Sequence, residues 1–317
     1  MKCRVCDNEE NNREYKVKEM MYGYRDEFSY IQCSKCDCLQ IIEFPNDMSK
    51  YYPKDYYSYQ PVNNEQARMK QLLIKLKNNY AYFNKGLIGK LLYSKYPYTA
   101  LRSIYQLPLN FDSKIIDVGC GAGYLLNTLH EFGFKNLLGI DPFNEKDIKL
   151  KNGLSILKKN IHKVQGKWNL IMFHHSFEHV PDPLRTLRSA FNLLESGGLC
   201  VIRIPIVSSY AWKYYGVNWI QIDAPRHFFL HSLQSMNILS KKTGFDLFDI
   251  GYDSTSFQFW GSEQLVNNIP LFDKYSYNSA SKTSMFTKKD IVNFENRSKE
   301  LNISRQGDSG IFYLRKA

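Results

Sequence analysis

The chain has 317 residues, 44% apolar and 15% aromatic, enough for one large domain plus a small one and too apolar for a disordered polymer. Its 42 basic and 31 acidic side chains leave a formal charge of +11, but the lysines cluster no further than pairs such as Lys158-Lys159 and Lys241-Lys242. That pattern speaks mildly for an anionic substrate rather than for a nucleic-acid surface. With no run near the ~18 apolar residues of a membrane span and no apolar core in Met1 to Glu10, the expectation is a cytoplasmic protein without a membrane partner.

Two C-x2-C knuckles open the chain, Cys3 with Cys6 and Cys33 with Cys36, separated by 26 residues. Without a secretion signal, such thiols predict a tetrahedral zinc site rather than disulfides, with redox-active thiols as the alternative. Four thiolates close the coordination sphere, so the expected zinc is structural. Glu14 to Met21 and Phe28 to Gln32 are expected as strands of a zinc ribbon over residues 1–45, with Cys38 a spare, small buried residue.

Ile41 to Pro45 reads as an edge strand ended by proline. The tyrosine-dense turn from Tyr51 to Tyr57 suits packing between ribbon and main domain, or stacking on a base or sugar ring. Apolar residues recur at helical spacing over Gln66 to Asn79 and Ile88 to Tyr105, broken at Pro97, which predicts a helical connector over 46–110.

Lys114 to Val118 reads as a buried strand, followed by glycines at 119, 121 and 123 and a helix from Tyr124 to Phe132. Alternating glycines let the backbone turn sharply and approach a ligand, and the helix N-terminus accommodates an anion or carboxylate. Alone this is a weak signal of a nucleotide site. The next strand, Asn136 to Ile140, ends at Asp141, where a βαβ unit places an acid for ribose hydroxyls.

Ile115-Ile116-Asp117-Val118-Gly119-Cys120-Gly121-Ala122-Gly123, followed by Gly139-Ile140-Asp141, resembles the class I S-adenosylmethionine-dependent methyltransferases. The resemblance implies an α/β, Rossmann-like seven-stranded sheet with an antiparallel seventh strand, spanning 111–317. It also implies that Asp117, Gly119, Cys120, Gly121 and Gly123 hold the methionine end of the cofactor and Asp141 its ribose. Asn160 and Ile161, after a weak third strand at Leu154 to Leu157, are the candidates for the adenine, and His174 joins the cofactor set.

Trp168 to Phe173 should lie beside the first strand at the centre of the sheet and deliver His174 to Pro183 to its carboxyl edge, where ligands bind. His175 is the nearest candidate base, with Glu178 as a further catalytic candidate. His179 and Glu178 also suit a role capping the loop. A helix from Leu184 to Leu194, a stop at Glu195 to Gly198 and a strand from Leu199 to Pro205 complete the matched core.

Residues 206–232 form an expected substrate lid, with Ser232 capping the next helix. Within it Tyr215, Trp219 and Arg226 are candidate substrate contacts, Arg226 as a bidentate fork for phosphate or carboxylate, and His227 is a second candidate base. Equally, Arg226 and His227 would hydrogen-bond the lid to the body. The Pro225-Arg226-His227 segment resembles a methyltransferase subgroup that carries an amino-terminal cysteine ribbon and is linked to sugar or surface-polysaccharide pathways.

Phe245 to Ile250 and Gly310 to Arg315 read as the sixth and seventh strands, with a helix over Lys288 to Leu301 and an irregular stretch from Ser262 to Ser284. The expectation is methyl transfer from S-adenosylmethionine to a small metabolite, a sugar or nucleotide-linked sugar, with structural zinc as the second cofactor. Two rivals stand beside it: an RNA methyltransferase whose ribbon contacts RNA, and a cofactor-binding regulatory protein without turnover. The strand-four segment lacks the Asn-Pro-Pro-Tyr type of amino-group site, which weighs against the first.

Overall fold

The computed structural model describes residues 1–53, 68–150, 152–279 and 284–317. Tyr56 and Tyr57 of the tyrosine-dense turn, Gln66 at the expected helix start and residues 280–283 of the irregular stretch lie outside them. The chain divides into two compact units that interleave in sequence. One comprises Met1–Pro53, Phe177–Leu187 and Ile204–Phe312; the other comprises 68–176, Arg188–Arg203 and Tyr313–Ala317. This differs from the consecutive partition at residues 45 and 110 expected from the sequence, and strand pairing gives the reason.

In the first unit, β1 (Arg13–Lys18), β2 (Glu27–Gln32) and β3 (Leu39–Ile41) form an antiparallel meander. The free edge of β3 is taken by β10 (Phe229–Leu230), with Phe229 opposite Gln40 and Leu230 opposite Leu39. β3 is therefore an inner strand and all three of its residues are buried, where an edge strand at Ile41 to Pro45 was expected. The segment expected as a lid thus supplies the fourth strand of the ribbon sheet.

Capping chemistry fixes the helices that follow. Ser232 Oγ accepts from the Ser235 N–H (2.8 Å) to start α7 (Leu233–Thr243), and Gly244 at φ 87° ends it. Thr287 forms a capping box with Asp290 at the start of α9 (Lys288–Ile303). Between them lie β11 (Phe245–Tyr252) and α8 (Phe257–Val266), the latter running into the stretch expected to be irregular.

In the second unit, β4 (Lys114–Val118) pairs in parallel with β5 (Asn136–Ile140) on one side and β8 (Trp168–His174) on the other. The central position expected for β8 is observed. β7 (Ser155–Leu157) extends the parallel set beyond β5, and β9 (Leu194–Pro205) extends it beyond β8. Ile115, Ile116 and Leu170 to Phe173 are completely buried, the near-continuous apolar pattern of a parallel sheet covered on both faces.

The full order is β11-β12-β9-β8-β4-β5-β7-β6, where β12 is Ser309–Lys316 and β6 is Ile148–Lys149. Among the described residues the sheet has eight strands, not seven. The additional one is the two-residue β6, antiparallel on β7.

α4 (Tyr124–Glu131) follows β4, and α1 (Arg68–Phe83), α2 (Leu87–Lys95) and α3 (Thr99–Arg102) form the connector. α2 ends before Pro97, as the sequence predicts. α5 (Pro183–Leu193) leads into β9, and α6 (Tyr210–Tyr215) follows in the chain. Among the described residues, no helix is long and apolar enough to cross a membrane.

Candidate active site and metal-ligand clusters

The turn after β4 is built around left-handed glycines: φ is 71° at Gly119, 53° at Gly121 and 80° at Gly123. At Gly119 the constraint is also steric, because a Cβ there would stand 2.4 Å from Ser176 Cβ. Ser176 Oγ in turn donates to the Val118 carbonyl (2.5 Å), so the loop after β8 closes down on the glycine turn. Gly123 occupies the N-cap of α4 and makes no side-chain cap there. The N–H groups of that first turn are the natural donors for an anion.

Two carboxylates end the neighbouring strands. Asp141 accepts from the Gly121 N–H (2.9 Å, Oδ2) and the Phe143 N–H (2.9 Å, Oδ1), so half of its acceptor capacity already holds the turn in shape. Burial raises its pKa even so, against the lowering effect of those N–H groups. Asp117 is buried, and its Oδ1 has no hydrogen-bond partner. Burial, then the charge of Asp141, push its carboxyl up to about 8. An acceptor buried without a donor fits a site made for a cationic or hydrogen-bonding ligand group.

The remaining cofactor candidates distribute unevenly. Ile161 is buried and begins a short 3-10 turn, whereas Asn160 is the exposed residue before it. Cys120 is half-buried in the turn, and burial raises its thiol first, with Asp117 and Asp141 adding to the effect. His174 ends β8 opposite Arg203. His175 sits just beyond, half-buried, at φ 51°, with its N–H donating to the Arg203 carbonyl (2.8 Å). A positive φ at a non-glycine residue on the carboxyl edge of a sheet is the kind of local strain that marks functional positions.

In the ribbon-containing unit, the four predicted thiols converge. Cys3 and Cys36 Sγ are 3.5 Å apart, Cys6 and Cys33 Sγ likewise, and all four lie within 4.8 Å of one another. Tetrahedral zinc with Zn–S bonds of about 2.3 Å places its sulfurs about 3.8 Å apart, so the donor set fits that ion. The two knuckles are alike in backbone as well. Asp7 and Asp37 each take φ 62° and donate their N–H to the carbonyl of the first cysteine of the pair, Cys3 and Cys33 (2.9 Å each). Cys38, the spare, is buried beside His231 Nδ1 at 3.9 Å, and burial raises its thiol.

Arg226 is placed where the sequence could not show. Its guanidinium is fully buried, with Nη2 donating to Glu19 Oε1 (2.9 Å) and to Asp223 Oδ1 (2.6 Å), and Nη1 donating to the Tyr51 carbonyl (3.3 Å). Glu19 also accepts the N–H groups of Met21, Tyr22 and Tyr24, so the turn after β1 wraps around its carboxylate. The expectation that Arg226 grips an anionic acceptor is corrected, because its fork is occupied by the protein's own carboxylates. Burial is the largest single effect on Asp223 and raises it, but the charge and hydrogen bond of Arg226, with His227 and His179 adding to them, together hold the carboxyl below its usual range.

Tyr215 and Trp219, expected at the acceptor, are both buried. The Tyr215 hydroxyl donates to Glu263 (2.8 Å) and the Trp219 indole N–H to Asp308 (3.0 Å). Their aromatic character marks packing rather than an open contact surface.

His227, Glu178 and His179 do come together, each offering a ligand atom within 4.8 Å of the others. His227 Nδ1 lies 2.7 Å from the Gln221 carbonyl, and His179 Nδ1 lies 2.8 Å from the Arg226 carbonyl. A carbonyl only accepts, so Nδ1 is the donor in each contact, and His227 Nε2 faces Glu178 Oε1 at 3.9 Å and Asp223 Oδ2 at 3.8 Å. Burial, with the neighbouring His227 adding to it, holds His179 down to about 4, so its ring is neutral at pH 7. His179 is the member of this cluster for which the sequence favoured a capping role over that of a general base. Glu19 and Asp223 were missed: only the i,i+3 spacing of Asp223 to Arg226 hinted at a pair, and nothing in the sequence links Glu19 to either.

Residues 92–250 match the model of a family described as a methyltransferase domain, half of the chain. A ubiquinone biosynthesis O-methyltransferase of Colwellia psychrerythraea is 34% identical over 100 residues, 28% of this chain and 40% of that one. The chain therefore spans less than half the length of that relative. The corresponding protein of Psychrobacter arcticus is 26% identical over 182 residues, 50% of this chain and 70% of its own. A solved S-adenosylmethionine dependent methyltransferase from Mesorhizobium loti superimposes with a TM-score of 0.44 at 16% identity, covering 69% of this chain and 97% of that one.

Proposed function

The chain belongs to the methyltransferase-domain family, and from that premise we propose that it moves a methyl group from S-adenosylmethionine to a hydroxyl of a small-molecule acceptor. The observation that carries this reading is the cradle after β4, where Asp117 Oδ1 is buried without a partner beside a turn too tight for a Cβ at Gly119. S-adenosylmethionine supplies an electrophilic methyl carbon on a sulfonium, so transfer forms a carbon–oxygen bond as the sulfur–carbon bond breaks.

This chain's residues bind and orient. Asp117 takes the α-ammonium of the methionine end, satisfying its orphan oxygen, and the first N–H groups of α4 take the carboxylate. Asp141 holds the ribose hydroxyls with its remaining lone pairs, and Ile161 covers an adenine face. Positioning of two reactants supplies much of the rate in such a displacement. His175, at the end of β8, accepts the proton that the hydroxyl loses. The four ribbon thiolates hold a structural zinc ion.

For the acceptor, the ribbon and the Pro225-Arg226-His227 segment together support a sugar or nucleotide-linked sugar. The names of the relatives favour a second reading, an acceptor of ubiquinone biosynthesis. Calorimetric titration of the zinc-loaded protein with S-adenosylhomocysteine tests the cofactor first. Binding should weaken by about 10–100-fold in Asp141→Ala, the value of one or two hydrogen bonds to a charged group. An absence of binding to the folded wild type would overturn the reading. Labelled methyl transfer to nucleotide sugars, set against intermediates of ubiquinone biosynthesis, then separates the two acceptor classes.

A further inference from the structure

We propose that Glu178, His179 and His227 form a second divalent-cation site, chemically distinct from the four thiolates and independent of the methyl-transfer reading. Two imidazoles and one carboxylate are the donor set of first-row ions such as Zn2+, Co2+ and Fe2+ in sites that keep coordination positions open. Both rings are oriented for ligation. Each Nδ1 is engaged with a backbone carbonyl, Gln221 for His227 and Arg226 for His179, which leaves Nε2 as the nitrogen available to an ion. That carbonyl contact is the outer-shell arrangement which fixes the tautomer of a metal-bound histidine.

Distances and charge agree with this assignment. His227 Nε2 stands 3.9 Å from Glu178 Oε1, and the three ligand atoms lie within 4.8 Å of one another. Metal bonds of about 2.0–2.2 Å bring tetrahedral ligand atoms to roughly 3.4 Å, a closure of about 0.5 Å between His227 and Glu178 and of no more than about 1.4 Å for any pair. Glu178 and the Arg226 side chain are fully buried, and Asp223 Oδ2 lies 3.8 Å from His227 Nε2. Three carboxylates, Glu19, Asp223 and Glu178, thus surround one guanidinium and two imidazoles. These carboxylates outnumber the guanidinium three to one, a setting in which a bound dication is favoured.

The ion would hold three protein ligands and leave room for water or another oxygen ligand. The four-thiolate site has no such vacancy. The two therefore differ in stoichiometry and in spectrum.

The test is to load the full-length protein with Zn2+, remove free metal and count ions per chain by mass spectrometry, with Co2+ loaded in parallel for visible absorption. We expect two ions in the wild type and one in each of His227→Gln, His179→Gln and Glu178→Gln. In the cobalt protein, the thiolate-to-metal charge-transfer band should persist in all three variants while the weaker nitrogen–oxygen ligand-field bands disappear. Persistence of the thiolate band also shows that the ribbon is still folded in each variant. One ion per chain in the wild type, with all cobalt absorption of thiolate character and unchanged in the variants, would overturn the proposal.

Discussion

A carboxyl pushed up to about 8 by burial and by the charge of Asp141 costs the ligand-free protein stability whenever it ionises. The folded state holds the Asp117 proton more tightly than the unfolded chain, where the ordinary value is 3.8. The stabilisation is therefore complete below about pH 4 and is lost as pH rises through about 8, at up to about 1.4 kcal/mol per pH unit. Urea unfolding of the ligand-free protein should show stability falling between pH 5 and pH 8, with the slope flattened in Asp117→Asn. An unchanged slope in the variant would assign the pH dependence to other groups. At this scale the sequence was informative where the backbone is restrictive. The alternating glycines at 119, 121 and 123 were legible because each takes a left-handed φ that side chains disfavour. Arg226 was not, because an arginine paired with a glutamate 207 positions away leaves no pattern in the sequence.

Ribbon, Asp223–His227 loop and α7 are held by one set of polar contacts. Tyr30 donates to the His227 carbonyl (2.9 Å), Ser232 both caps α7 and donates to the Cys36 carbonyl, and Arg226 joins the turn after β1 to Asp223. In this chain the cysteine-bearing segment and the Pro225-Arg226-His227 segment complete each other's hydrogen bonding. Arg226→Ala strands the buried Glu19 and the half-buried Asp223, and chemical denaturation should register a loss of about 3–5 kcal/mol, with Arg226→Lys between the two. A loss within experimental error would mean that the pair contributes nothing net. The elements hardest to read in the sequence were β10 and α8. The first has only two residues, below any periodicity, and the second carries Phe257, Phe259, Trp260, Leu265 and Val266 on several sides, without an amphipathic stripe.

Over the whole molecule, +11 of net charge is dispersed along the sequence, and several of its carriers are occupied within the fold. Lys242 donates to the Val5 carbonyl and lies near Asp7, Lys316 donates to the carbonyls of Phe191 and Leu194, and Arg226 is buried. Binding to structured RNA should accordingly be weak at about 200 mM salt, with a shallow dependence of affinity on salt measured by filter retention. Tight binding with a steep slope would favour the RNA reading. The broad architecture was legible because parallel strands buried on both faces read as apolar runs. The interleaving of the two units was not, because it depends on a pairing between Gln40 and Phe229. That pairing also orders events during synthesis. The apolar β3 leaves the ribosome about 190 residues before its partner. At ordinary elongation rates its open edge waits roughly 10–40 s for β10. The ribbon sheet is thus completed only long after its first three strands are made.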